Sequence, residues 1–238
     1  MVRKSIYTHL FKRLRQLFLQ EFFILFALFC LTGGTWTFLE IADEIIEGET
    51  QSFDMRLLET IRGINSVGEV VGPSWLAEAM QDITALGGIT VLTIVTAVSA
   101  FFLLLKHKYR SIFLLLCASI GGFFLVSILK FFFARERPTD SFGFVTIDSF
   151  SFPSGHAMMS AIVYLSLAAM LAQIQTDKRT GFFIVLVAFF ITAMVGLSRI
   201  YLGVHFPTDV LGGWSIGIAW ASIWWLISWH LQRHENMV

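Results

Sequence analysis

The chain has 238 residues, of which 56 % are hydrophobic and 14 % charged, with 25 Phe and 7 Trp. That is more apolar than a soluble domain of this length, and the charges cluster between long apolar runs, the pattern of an all-α, polytopic membrane protein. With 17 basic and 17 acidic residues the net charge is zero, so nothing points to nucleic acid as a partner.

Residues 1–238 read as a single membrane domain. In residues 1–20, Ile6, Leu10, Leu14, Leu17 and Phe18 keep helical spacing with Lys12, Arg13 and Arg15 between them. This predicts a basic amphipathic helix lying on the membrane surface. No small-residue cleavage site follows it, so the first apolar segment is expected to be retained. Six spans are predicted: Phe22 to Leu39, Leu86 to Leu105, Ser111 to Phe133, His156 to Gln173, Phe182 to Leu197 and Val210 to Leu231. The fifth is too short to cross unless it takes in residues of the motif that follows it. Cys30 and Cys117 fall inside apolar runs and read as packing residues, not as a disulfide.

The loop 40–85 is acidic. Phe53, Leu57, Leu58, Ile61 and Ile64 keep helical spacing within it, and Trp75, Leu76 and Met80 do so again. Two short amphipathic helices at the outer face are expected, covering the bundle in the first place or else shaping an entrance for a lipid.

Eleven basic residues (Arg3, Lys4, Lys12, Arg13, Arg15, Lys106, Lys108, Arg110, Lys178, Arg179 and Arg233) fall on one side of these spans, and six (Arg56, Arg62, Lys130, Arg135, Arg137 and Arg199) on the other. The positive-inside bias then makes both termini cytoplasmic and turns the motifs below toward the periplasmic or extracellular side of a cell (inner) membrane.

The third span ends in Lys130-Phe131-Phe132-Phe133-Ala134-Arg135-Glu136-Arg137-Pro138. A lysine at that depth needs an anionic partner or must snorkel to the interface. The next connection carries Phe142, Phe144, Phe150 and Phe152, an apolar rim for a lipid chain, and reaches Ser151-Phe152-Pro153-Ser154-Gly155-His156. Ser154 reads as an N-cap, Gly155 permits close backbone approach, and the free N–H groups of a helix start suit an anion.

The last motif runs from Ser198-Arg199 through His205-Phe206-Pro207-Thr208-Asp209. Pro207 suits the first turn of a helix, so Asp209 lies one turn past His205 and can hold one imidazole nitrogen while the other stays basic. His205 is then a candidate nucleophile, Asp209 its orienter, and Arg199 a fork of donors for phosphate oxygens. The same residues also read as snorkelling interfacial groups, with Asp209 as a helix cap.

Lys130 with six residues before Arg137-Pro138, then Pro153-Ser154-Gly155-His156, then Ser198-Arg199 with five residues before His205 and three before Asp209, together resemble the type 2 phosphatidic acid phosphatase superfamily. The resemblance covers about residues 130–213, with no departure at the motif positions. It implies an integral-membrane lipid phosphatase in which His205 forms a phosphohistidine, Asp209 supports it, and His156 protonates the leaving oxygen. It also implies that Lys130, Arg137, Ser154, Gly155 and Arg199 hold the phosphoryl oxygens, with Arg135 as a second candidate clamp. Substrates in that family include phosphatidic acid, phosphatidylglycerol phosphate and undecaprenyl diphosphate.

The residue chemistry agrees: cations and a helix start stabilise charge, and two histidines supply nucleophile and acid. No cluster of carboxylates or of His and Cys accompanies them, so no metal and no other cofactor is expected. The expected partners are a lipid phosphate substrate and the surrounding membrane lipids, with no obligate protein partner. A vanadate-dependent haloperoxidase shares such an anion site, but those proteins are soluble. A membrane transporter relaying protons or anions through His, Asp and Lys is the alternative from another class. It would carry its ionisable groups near span centres, whereas here they gather at span ends on one face.

Overall fold

The structure is a computed structural model that describes residues 2–62, 73–138, 149–175 and 177–235. Among these residues it is all helix and turn, without a strand. The elements are α1 (Val2–Glu47), α2 (Gln51–Arg62), α3 (Ser74–Ala85), α4 (Ile89–Leu105), α5 (Tyr109–Phe133), α6 (Gly155–Ser160), a π turn (Ala161–Leu165), α7 (Ser166–Ile174), α8 (Lys178–Tyr201) and α9 (Pro207–Glu235). Five helices are long and apolar enough to cross a membrane, and the pair α3 and α4, bent by 46° at their junction, makes up to six.

The chain is a multi-pass membrane protein, and its surface shows why. Phe29, Phe101, Phe113, Phe131, Phe182 and Phe190 point outward, and the small residues Ala118, Ala157, Ala161 and Ala219 are buried. This inverts a soluble core, because lipid-facing positions need apolar area and helix–helix contacts need close backbones.

Three expectations change in detail. The basic residues 1–20 do not form a separate surface helix; they run without a break into α1. α4 has only 17 residues, about 26 Å at 1.5 Å per residue, short of the ~30 Å apolar layer, and is long enough for a span only when taken together with the bent α3. The short fifth span does take in the motif, since α8 continues through Ser198, Arg199 and Tyr201. The last helix has Pro207 in its first turn as expected, three residues ahead of the predicted span start at Val210.

α9 is the central post, with α1 along one flank and α6 on another. A Cβ on Gly213 would stand 2.8 Å from the Ser154 carbonyl oxygen, and one on Gly217 2.8 Å from that of Met158. Only glycine at both places lets α6 lie flat on α9, so this small-xxx-small pair sets the distance between His156 and the start of α9. Trp214 and Trp220 of α9 donate their indole N–H groups to the Thr192 and Ala118 carbonyls, at 3.1 and 2.9 Å. These bonds tie α9 to α8 and α5 and satisfy both indole N–H groups. Cys30 and Cys117 are both free and half-buried.

Of the loop 40–85, the helices α2 and α3 form where the spacing indicated, and Ile64 lies outside the described residues. α2 does more than cover the bundle. Leu58 is buried with Ala157, Ile200 and Val210, and Ile61, Phe206 and Trp214 pack around them, joining α2, α6, α8 and α9 directly under the motif residues.

Candidate active site

The site forms where α5, α6, α8 and α9 end together. His205 stands in the turn between α8 and α9, is 1 % exposed, and turns its Nδ1 to Asp209 Oδ2 at 3.4 Å. The same Oδ2 accepts the Phe206 N–H at 2.9 Å, so Asp209 caps α9 and faces His205 at once. On the other side of the ring, Arg137 Nη1 lies 3.1 Å from His205 Nε2. A guanidinium can only donate, so Nε2 is the unprotonated nitrogen and Nδ1 carries the proton toward Asp209. Burial, then the cations Arg199, Arg137 and Lys130, hold the His205 imidazole well below its ordinary pKa and hence neutral.

Three cations stand near that ring, and Arg137 touches the nitrogen itself. Arg137 is fixed by the carbonyls of Ser149, Val204 and Phe150 and by Ser149 Oγ, and its burial lowers its pKa. Lys130 donates its Nζ to the Phe150 carbonyl, so it turns into the connection before α6. Arg199 is 6 % exposed, gives Nη1 to Thr84 Oγ1 at 3.1 Å, and keeps a buried Nε without a partner. Arg199 and His205 are thus buried and do not snorkel to water, while the cap reading of Asp209 holds.

Ser154 occupies the N-cap position of α6, yet its hydroxyl caps nothing; it is buried and unpartnered. Its backbone N–H donates to the Asp209 carbonyl at 2.9 Å, tying α6 to α9. A Cβ on Gly155 would meet Lys130 Cε and Val126 only at 3.7 Å, an ordinary contact, so protein packing does not require glycine here. His156 is half-buried and lies against the Leu86–Gly88 break between α3 and α4.

Two expectations are corrected. Arg135 is not a clamp: Nη1 donates to Asp209 Oδ1 and Thr208 Oγ1, and Nη2 to Asp54 Oδ2 and Thr50 Oγ1. Its guanidinium carbon also sits over the Phe206 ring, 4.6 Å from the centroid, and both of its terminal nitrogens are taken up by protein acceptors. Phe152 is not part of a lipid rim either. It is fully buried, stacked on Phe38 at 5.5 Å and met edge-on by Phe133 at 4.9 Å. Phe150 remains exposed, and Phe142 and Phe144 lie outside the described residues.

Sequence reasoning missed Asp54, Thr50, Thr84, Ser149 and Thr208. Only Asp54 left a signal: it precedes Leu58 by four and Ile61 by seven, so it shares the buried face of α2.

A family model described as the PAP2 superfamily matches residues 111–233. The chain belongs to the PAP2 superfamily. It is 34 % identical over 186 residues to phosphatidylglycerophosphatase B of Bacillus subtilis, covering 76 % of this chain and 86 % of that protein. An undecaprenyl-diphosphatase of Sulfolobus acidocaldarius is 29 % identical over 133 residues, 52 % of this chain and 58 % of its own. Among solved structures, the transmembrane PAP2-type phosphatidylglycerolphosphate phosphatase from Bacillus subtilis superposes with a TM-score of 0.74 at 31 % identity, over 82 % of this chain and 94 % of that one. The Aquifex aeolicus LpxE structure gives 0.55 at 26 %, over 71 % and 93 %. The PAP2 match takes in all three motifs and all four helix ends that form the site.

Proposed function

We propose that this chain, a membrane lipid phosphatase by its family and relatives, hydrolyses lipid phosphate monoesters or diphosphates through a phosphohistidine on His205. The observation that carries the reading is the pairing of a neutral Nε2 with Arg137 at 3.1 Å, together with a buried Arg199 Nε and a buried Ser154 Oγ that have no protein partner. Buried donors of this kind are costly unless a ligand satisfies them, and a phosphoryl group carries the acceptors to do so.

Lys130, Arg137, Arg199, the Ser154 hydroxyl and the backbone at Gly155 hold the three non-bridging oxygens. Nε2 of His205 attacks phosphorus with its lone pair, and the bond to the lipid oxygen breaks in line. That oxygen leaves with a proton from His156. Water then attacks the phosphohistidine, gives its proton back to His156, and releases inorganic phosphate and free His205. Asp209 keeps the Nδ1 proton in place and offsets the positive charge the ring acquires.

The reaction needs no metal on this reading, because the cations do the charge stabilisation and the two nearby carboxylates, Asp54 and Asp209, are both paired with Arg135. Activity is expected to survive EDTA, and vanadate to inhibit by occupying the phosphoryl site. Loss of activity in EDTA with recovery on adding Mg²⁺ would sink the mechanism.

We also place the site on the periplasmic or extracellular side, following the distribution of basic residues. In a background lacking Cys30 and Cys117, a cysteine at the exposed Ser52 is expected to react with an impermeant thiol reagent in intact cells, and one at the exposed Thr180 to stay unlabelled. The opposite pattern would move the site to the cytoplasmic face. Phosphate release from a panel of phosphatidic acid, phosphatidylglycerol phosphate and undecaprenyl diphosphate tests the substrate class.

A further inference from the structure

α2 carries a carboxylate that the reaction scheme does not use. Asp54 is fully buried, and it accepts three bonds: the Thr208 N–H at 3.0 Å, the Thr208 hydroxyl at 2.6 Å and Arg135 Nη2 at 2.7 Å. Arg135 gives its other nitrogen to Asp209 Oδ1 at 2.7 Å, and to Thr208 Oγ1 at 2.9 Å. The guanidinium thus lies between two carboxylates, and the threonine hydroxyl closes the ring by accepting from Arg135 and donating to Asp54.

Without Asp54, Arg135 and Asp209 would be a self-neutralised pair, and Asp209 would present little net charge to the imidazole. A second carboxylate on the far side of Arg135 leaves the trio with one net negative charge. That charge lies behind the proton on His205 Nδ1, where positive charge develops as Nε2 bonds to phosphorus. Asp54 also pins Thr208, the residue before Asp209, and so fixes the first turn of α9 against the His205 ring. Leu58 and Ile61, one and two turns further along α2, bury that helix against Ile200 and Val210, which holds Asp54 in register.

We propose that Asp54 is a positioning residue for phosphoryl transfer: through Arg135 and Thr208 it orients Asp209 and supplies the second carboxylate that leaves net negative charge behind His205, making α2 part of the catalytic unit. The proposal rests on the phosphohistidine reading above.

The test compares wild type, Asp54→Asn, Asp54→Glu, Arg135→Gln and the Asp54→Asn/Arg135→Gln double variant, as full-length protein in detergent. Rapid-quench ³²P labelling follows phosphoenzyme formation, steady-state assays yield kcat and KM, and the thermal shift produced by vanadate counts intact sites. Asp54→Asn is expected to slow phosphoenzyme formation and kcat about tenfold or more per intact site, with KM and vanadate affinity nearly unchanged, since no anion-holding group is touched. The double variant should lose clearly less than the product of the two single losses, because Asp54 acts in part through Arg135.

Asp54→Glu retains the charge, so it should recover part of the rate. Should Asp54→Asn not fold, a kcat loss at constant KM in Asp54→Glu carries the same meaning. The proposal is overturned if Asp54→Asn phosphorylates as fast as wild type, if its defect lies only in KM or vanadate affinity, or if the two single losses multiply in the double variant. A wild-type protein that never traps phosphate would instead sink the phosphohistidine reading, whatever Asp54 does.

Discussion

His205→Ala is expected to abolish turnover of every substrate, lipid phosphates and p-nitrophenyl phosphate alike, by about 10⁴-fold or more. The reason is positional. Nε2 is the one lone pair that Arg137, at 3.1 Å, turns toward the cations, and without it no covalent intermediate forms. A good leaving group cannot compensate for a missing nucleophile. ³²P should be trapped on wild-type protein in an acid-sensitive, base-stable form, and none on the variant. Activity of His205→Ala toward the activated ester would remove His205 from the role of nucleophile. The pH profile adds a check with a definite sign. A depressed His205 pKa keeps the attacking form present as the pH falls, so kcat/KM for the activated ester should hold below pH 6.5 and not decline through it.

His156→Ala is expected to separate substrates that His205→Ala does not. A general acid contributes ~10²–10⁴-fold, and it matters most where the departing oxygen is strongly basic. The alkoxide of phosphatidic acid needs that proton; a lipid phosphate leaving from a diphosphate, or a nitrophenolate, needs it far less. Single-turnover rates on phosphatidic acid should therefore collapse, with the other two falling much less. The second half of the reaction also loses its base, so the variant should release about one nitrophenolate per enzyme and then stall as phosphoenzyme. Equal loss on all three substrates, with no such burst, would take the acid role from His156. The half-buried position of His156 against the Leu86–Gly88 break suits a group that meets the leaving lipid oxygen at the edge of the pocket.

How much of this was legible in the sequence depends on how far apart the interacting residues lie. His205 and Asp209 are one helical turn apart, Pro207 marks the start of α9, and both facts can be read from a short window. The same holds for Ser154 ahead of α6 and for α2 and α3 within the loop 40–85. The motif residues gather at helix ends because charged groups are tolerated there, which a hydropathy pattern already implies.

What the amino-acid sequence determined by itself was a bundle of apolar helices with Lys130, Arg137, Ser154, His156, Arg199, His205 and Asp209 near their ends on one side. The Arg137-Pro138 pairing already favoured Arg137, with Arg135 as a second candidate, and only the tertiary structure showed where Arg135 goes: 154 residues separate Asp54 from Thr208, and that long-range contact draws Arg135 to Asp54 and Asp209 and leaves Arg137 beside His205. Only the fold likewise left Ser154 Oγ and Arg199 Nε without partners, and buried Phe152 under Phe38. Periodicity reports which face of a helix is apolar; it carries no information on which distant side chain meets that face, because that follows from how closely Gly213 and Gly217 let α9 approach α6.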